Sequence, residues 1–329
     1  MQLQPLAIVI PAYKLKFFEL TLASIAAQTD RRFKIYVGDD GSPEDLRAVC
    51  DRWANRLDLQ YVRFERNLGA TNLVGQWHRC IDLSIEPWVW LFGDDDVMPP
   101  DAVATVLPRL LAASPADCLF HFDVELIDAA GLPIRAVPSF PAWLSSRKFA
   151  LARMHSTLAS YAPEYVFSRM AFERAGRFQT FPRAWCADDA MWVALAAHGG
   201  IQSFARPRVQ WRYSGSNISS RHDSDRSEKV LAAAQFIRWL DGFLRQNPAR
   251  GDDPQDTEIL QAARFWFHQQ VRTLGVSMLD PALWRALSML SQVRGVALGR
   301  LVAGVIVRGL AEQRAPAQAL MRDDTAPGP

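Results

Sequence analysis

The chain has 329 residues, 49% of them hydrophobic and 22% charged, enough to bury a sizeable core as one large domain with an appendage. Its formal net charge of +2 provides no field for nucleic acid, which is therefore not an expected partner. Four cysteines, Cys50, Cys80, Cys118 and Cys186, stand far apart without a CxxC pair, which argues against a zinc or disulfide frame and fits reduced thiols.

The chain opens on Leu6-Ala7-Ile8-Val9-Ile10, an apolar run ended by Pro11 that reads as a buried strand. It is too short for a signal peptide and lacks a basic lead, so a cytoplasmic location is expected. Leu15, Phe18, Leu22 and Ile25 recur at helical spacing and predict a helix from Leu15 to Gln28. Phe33 to Gly38 is a second strand, followed by Asp39-Asp40-Gly41-Ser42, and a helix is expected from Pro43 to Asn55. Leu59 to Phe64 reads as a third strand, Asn67-Leu68-Gly69 as a turn, and Leu73 to Leu83 as a helix.

The chain then reaches Trp88-Val89-Trp90-Leu91-Phe92, an apolar run bounded by Gly93, which reads as a fully buried strand. Asp94, Asp95 and Asp96 follow at its carboxyl end, where open α/β sheets place their ligands. Adjacent carboxylates repel one another and raise each other's pKa unless a cation lies among them. Oxygen donors without cysteine or histidine suit Mg²⁺ or Mn²⁺, usually shared with a phosphate. Taken alone, the triplet reads more readily as a solvated turn before Pro99-Pro100, and Asp39 to Ser42 equally well as a turn with a helix cap at Ser42. Strand and helix alternating four times predict an α/β fold with a doubly wound, mostly parallel sheet. In such a sheet both acid clusters face one crevice.

Asp101 to Ala113 is expected to be helical and Leu119 to Ile127 a strand, with a turn at Ala130-Gly131. Pro133 to Ser146 reads as irregular, and Arg153 to Ala175 as helix and strand pieces without clear boundaries. Ala184 to Gly200 carries the pair Asp188-Asp189 at the head of an amphipathic helix, a place the helix dipole alone would favour. Gln210 to Tyr213 is read as a last strand, and Ser214 to Asp225 as polar and mobile. Three helical stretches follow, Arg226–Gln246, Gln255–Gly275 and Pro281–Gln313, with Asn247 to Pro254 as a linker. The expected division is therefore 1–222 as a catalytic domain, 223–313 as a helical region and 314–329 as a disordered tail. Val296 to Leu310 is apolar but interrupted by Arg300 and Arg308, too short and too charged to span a bilayer. Peripheral contact with the inner face of the cell membrane is one reading of it. Packing against the catalytic domain or a second subunit is the other.

The order of these motifs resembles the family 2 inverting glycosyltransferases of GT-A fold. The resemblance begins with VIPAYK, AAQTD and YVGDDGS between Leu6 and Ser42, and continues through Asn67-Leu68-Gly69 and WLFGDDD. Ala187-Asp188-Asp189 stands where that family has its "ED" pair, and WRYSGSNIS, Trp211 to Ser219, resembles its closing phosphate-side segment. The resemblance spans Leu3 to Ser220.

It implies that Pro11, Ala12 and Tyr13 line a base pocket and that Asp40 contacts uracil or ribose, with Asn67 and Gly69 beside them. It implies Asp95 as the metal ligand, with Asp96 flanking it, and Asp94 as the ribose-side acid of a DXD signature. Asp189 would be the general base and Asp188 its orienting neighbour. Two positions depart from the family pattern: Gly93 stands where the DXD usually begins, and Ser214 where a histidine is frequent. Arg212 or Arg221 would then offset the diphosphate charge. His121, His155 and His198 show no ligand spacing, and Trp185, beside the acids, suits either packing or stacking on an acceptor sugar.

The function expected is transfer of a sugar from a nucleotide-diphosphate donor, a UDP-sugar, to a hydroxyl of a glycan or lipid-linked glycan in surface polysaccharide synthesis. Mn²⁺ or Mg²⁺ is the expected cofactor. A non-catalytic nucleotide-sugar or glycan-binding subunit is the alternative. A sugar nucleotidyltransferase fits less well, because Pro11-Ala12-Tyr13-Lys14 lacks the glycines of a phosphate loop.

Overall fold

A computed structural model describes residues 3–114, 117–213, 215, 225–295, 299 and 302–304. Ser214, Arg221, the tail from 314 and most of the apolar stretch 296–310 lie outside the described residues.

The strands are β1 (Leu6–Ala12), β2 (Phe33–Asp39), β3 (Leu59–Arg63), β4 (Trp88–Leu91), β5 (Leu119–Ile127), β6 (Pro133–Arg135), β7 (Trp143–Leu144), β8 (Tyr165–Ser168) and β9 (Ile201–Arg212). They form one sheet in the order β3-β2-β1-β4-β8-β5-β9-β7, with β6 paired to β5. β3, β2, β1 and β4 run parallel, in register from Leu6 beside Phe33 to Ala12 beside Asp39. Their carboxyl ends therefore share one edge, as the sequence pattern predicts. β8 enters antiparallel between β4 and β5, and β5 pairs parallel with β9.

Helices cover both faces: α1 (Phe18–Ala26), α2 (Leu46–Trp53), α3 (Leu73–Ile81), α4 (Ala102–Ala112), α5 (Ser146–Met154), α6 (Arg169–Arg174), α7 (Ala187–Gly199), α8 (Arg226–Gln246), α9 (Asp256–Thr273) and α10 (Pro281–Leu290). Side-chain caps set several starts: Asp45 accepts from Ala48 N at 3.0 Å, and Asn72 from Gly75 N at 2.9 Å. Strand periodicity sorts β1 between two cores. Leu6, Ile8, Ile10 and Ala12 pack with α1, α2 and α4, whereas Ala7 and Val9 face the other layer. That second core runs without a break from Val89 and Leu91 through Trp192 of α7 to Phe236, Phe267 and Leu287 of the C-terminal helices.

Three expectations need correction. β9 begins at Ile201 rather than Gln210, because Arg206-Pro207-Arg208 interrupts its apolar pattern while backbone pairing to β5 continues on either side of a register shift. The stretch 133–146 contains β6 and β7 rather than being wholly irregular. The helix expected over 281–313 ends at Leu290, where Ser291 closes its last turn.

Candidate active site

The turn after β4 is held by its own acids. Asp94 Oδ2 accepts from the backbone N–H groups of Tyr13 and Lys14, each at 2.8 Å, which ties the end of β1 to the end of β4. Lys14 Nζ lies 2.5 Å from Asp95 Oδ2 and 3.7 Å from Asp94 Oδ1. Asp96 Oδ1 accepts from Arg212 N at 2.9 Å, and its carbonyl takes the Thr21 hydroxyl at 2.8 Å. Burial raises the pKa of Asp94, with the neighbouring Asp95 adding to it against the pull of Lys14. Asp96 is pushed well above the usual carboxylate range by burial and then by Asp95. Burial works against the Lys14 charge, but the Asp94 and Asp95 carboxylates prevail and its pKa is raised.

At the end of β2 the two acids part company. Asp39 turns inward, accepting from Ser42 N at 2.7 Å and Arg63 Nη1 at 2.8 Å, and closes its own turn. Asp40 points to the loop at 67–69: Leu68 N donates to its Oδ1 at 2.7 Å and Gly69 N to its Oδ2 at 2.8 Å. Arg79 of α3 also donates to Asp40 and lies over the Phe64 ring. Gly69 has no room for a side chain, since a Cβ would stand 2.6 Å from Asp40 Oδ2.

The third set of acids heads α7. The approach to it is strained, with positive φ at Arg183 (57°), Ala184 (54°) and Cys186 (64°), which turns the first helical residues toward the sheet edge. Asp189 is buried and paired side-on with Arg153 of α5, Nε to Oδ1 at 2.7 Å and Nη2 to Oδ2 at 3.1 Å. Arg153 Nη1 also donates to the Leu158 carbonyl at 2.5 Å. Burial opposes the Arg153 charge, and Asp189 overcomes that effect, raising its pKa. Asp188 is half-buried, its carboxyl raised to about 7 by burial and then by the charge of Asp189, with Arg153 pulling the other way.

These three sets surround one cavity of about 730 Å³. Pro11, Tyr13, Asp40, Asn67, Gly69, Asp94, Asp95, Asp96, Asp188 and Asp189 all line it, so the residues singled out from the sequence converge. Two do not reach it. Ala12 is fully buried in the α1 layer, contributing its carbonyl to Asp40 N at 2.9 Å. Arg212, assigned to the nucleotide, is 2% exposed and lies behind the acids, donating from Nε to the Asp95 carbonyl at 2.8 Å and from Nη1 to the Asp128 carbonyl at 2.9 Å. It braces the turn from beneath, with its guanidinium 4.5 Å from the Phe17 ring centroid. The pattern reading missed Lys14 and Arg153, and also Trp266 and Gln270 of α9, which close the far wall of the cavity. Trp185 lines it as well, with the Lys229 ammonium 4.7 Å from its ring centroid.

The donors present suit a hard divalent ion. A Cβ on Gly93 would stand 2.3 Å from Asp96 Oδ2 and 3.3 Å from Asp95 Oδ1, so two carboxylate oxygens converge on the space that the missing side chain leaves. The glycine at the head of the triplet is therefore what lets these acids fold back together. Among the described residues no set of three or more His, Cys, Asp or Glu is arranged for a metal. Two carboxylates with water and substrate phosphate are nonetheless a sufficient set for Mg²⁺.

The sequence model of glycosyl transferase family 2 matches residues 7–132. Chondroitin synthase of Pasteurella multocida (strain Pm70) is 30% identical over 112 residues, 28% of this chain and 12% of that protein, so the match spans a small part of its length. Among solved structures, residues 1–349 of TarS from S. aureus, in complex with UDP-GlcNAc, superpose with a TM-score of 0.71 at 13% identity, covering 94% of this chain and 91% of that one. The mannosyltransferase PcManGT from Pyrobaculum calidifontis, in complex with GDP-Man and Mn²⁺, gives 0.53 at 16% identity over 97% of this chain and 84% of that one. At such identities the two structural likenesses speak for the fold. Residues 7–132 thus match the model of glycosyl transferase family 2, and the fold is GT-A.

Proposed function

We propose that this glycosyltransferase moves a sugar from a UDP-sugar to a hydroxyl of a glycan acceptor with inversion at the anomeric carbon. The observation that carries the reading is the convergence of Asp40, the Asp94–Asp96 turn and the Asp188-Asp189 pair on one cavity. Its sheet-edge side, with Pro11, Tyr13, Asp40, Asn67, Gly69 and Asp94, receives the nucleotide. The side made by α7, Trp185 and α9 receives the acceptor. TarS with UDP-GlcNAc, rather than PcManGT with GDP-Man, is the nearer of the two folds, which favours uridine over guanosine.

In the reaction an acceptor oxygen bonds the anomeric carbon from the face opposite the diphosphate. The bond from that carbon to the phosphate oxygen breaks, and its electron pair leaves with the nucleoside diphosphate. A carboxylate at the head of α7 takes the acceptor proton. Asp95 and Asp96 would hold Mn²⁺ or Mg²⁺, which supplies counter-charge for the departing diphosphate. Lys14 adds positive charge on the same side. A lipid-linked or surface polysaccharide is the acceptor class we assign.

A thermal-shift panel of UDP-sugars and GDP-mannose, with and without Mn²⁺, tests the donor. Ligand at 100 times its Kd stabilises by about 2.7 kcal/mol. We expect a UDP-sugar to raise Tm, the rise to grow with Mn²⁺, and Asp95→Ala to lose both that increment and transfer. No shift with any UDP-sugar refutes the donor assignment.

A further inference from the structure

Lys14 stands over the acids at the end of β4, and its two ends are held differently. Its backbone is fixed, since Lys14 N and Tyr13 N both donate to Asp94 Oδ2 at 2.8 Å. Its ammonium reaches Asp95 Oδ2 at 2.5 Å, with Asp94 Oδ1 at 3.7 Å. The other Asp95 oxygen turns to the space above Gly93, where Asp96 Oδ2 also points. From beneath, Arg212 Nε donates to the Asp95 carbonyl at 2.8 Å. Two cations thus already offset much of the charge of three carboxylates. A divalent ion gripped by Asp95 and Asp96 would share one carboxylate with the Lys14 ammonium, and like charges at that range repel strongly away from bulk water. The Lys14 side chain is 32% exposed and lines the cavity. Its flexible four-carbon stem can therefore carry the ammonium elsewhere while the backbone stays anchored.

We propose that Lys14 gates the cation site: it holds Asp95 until a nucleoside diphosphate enters, then passes to the diphosphate, so that the cation binds after the nucleotide. The inference rests on the glycosyl-transfer reading above and adds an order of binding to that site. The step is an exchange of ionic partners, with no covalent bond made or broken. A diphosphate on the sheet-edge side carries more negative charge than the single carboxylate that Lys14 leaves, so the ammonium is paired throughout. Asp95 is released as the diphosphate arrives. The phosphate oxygens then complete the donor set that one or two carboxylates leave short for Mg²⁺ or Mn²⁺. The coupling is reciprocal: UDP raises the affinity for Mn²⁺ by the factor by which Mn²⁺ raises the affinity for UDP, and Lys14 supplies part of that factor.

The test needs neither turnover nor an acceptor. Mn²⁺ binding is read from the EPR signal of the unbound ion, and UDP binding by titration calorimetry. Both are measured for the full chain, Lys14→Met and Lys14→Arg, each ligand alone and in the presence of the other. We expect the full chain to bind Mn²⁺ weakly alone and about 10–100-fold more tightly with saturating UDP. Lys14→Met should bind Mn²⁺ alone about 10-fold more tightly than the parent, because nothing then competes for Asp95. It should also bind UDP alone more weakly, and UDP should add less to its Mn²⁺ affinity. Lys14→Arg keeps the charge and should keep Mn²⁺ binding weak until UDP is added.

A Lys14→Met protein that binds UDP but whose affinity for Mn²⁺ alone falls, or stays within about twofold of the parent, overturns the gate and leaves glycosyl transfer intact. If Lys14→Met does not fold, Lys14→Gln takes its place under the same criterion. A full chain that binds Mn²⁺ as tightly without UDP as with it overturns the gate on its own. A full chain that binds no UDP, and gains no Tm from any UDP-sugar, overturns the glycosyl-transfer reading itself.

Discussion

Gly69 and Gly93 matter for the room they leave, since each stands where a carboxylate must fold back on the chain. Gly69→Ala should break the Asp40 clamp on the loop at 67–69, lowering stability by about 1–3 kcal/mol in urea and, under the proposed function, abolishing the thermal shift expected with a UDP-sugar. Arg153→Met leaves the buried Asp189 charge unpaired, at a cost of about 3–5 kcal/mol, and a following Asp189→Leu should recover most of it. Both are read from the urea midpoint. Asp188 makes a pH prediction whose sign is fixed by its raised folded pKa. Folded protein keeps the Asp188 proton to about pH 7, whereas unfolded chain releases it near the ordinary carboxylate value. Ionising it therefore costs stability progressively as pH rises from about 4 to about 7. Asp188→Asn should match the parent in Tm near pH 4 and exceed it at pH 8, by a margin on the order of 1–3 kcal/mol.

Some elements were legible because one local rule governs them. The strand that becomes β4 announces itself by four buried apolar residues in a row, and β1 by an apolar run up to Pro11 that serves two cores. The acids that follow β2 and β4 could be placed on one edge because parallel crossovers leave no other choice. β8 was not legible: its four residues pair with strands more than forty positions away in sequence and carry no bounding glycine. The Arg153–Asp189 pair was hidden for the same reason, because 36 residues separate the partners and neither position has a distinctive pattern. Arg212 lies beneath the Asp94–Asp96 turn, and sequence alone does not tell an arginine in that place from one that faces the cavity. At this scale α9 carries a prediction. Trp266 is 7% exposed, packs edge-on against Phe236 with centroids 6.2 Å apart, and also walls the cavity. Trp266→Ala should cost about 3–5 kcal/mol in a urea titration.

Across the molecule, no apolar boundary separates the sheet layer from the helices after β9. Phe236, Ile237 and Leu240 of α8 belong to the same buried cluster as Trp192 of α7 and Phe167 of β8. Arg183 spans the gap in polar terms, with Nη2 2.6 Å from Asp225 Oδ2 and Nη1 2.9 Å from the Ala70 carbonyl. A protein cut after Asp225 should therefore lose its cooperative melt and bind a hydrophobic dye, as circular dichroism and ANS fluorescence would report. Among the described residues no helix is long and apolar enough to cross a membrane.

Trp266 and Gln270 reach the reaction chamber from a helix more than a hundred residues beyond the family 2 match. The walls of the cavity thus come from two separate stretches of the chain. Under the proposed function, changes in the distal stretch alter the wall assigned to the acceptor and leave the wall assigned to the nucleotide as it was. If that function holds, grafting the stretch from one homologue to another changes acceptor preference without changing the donor.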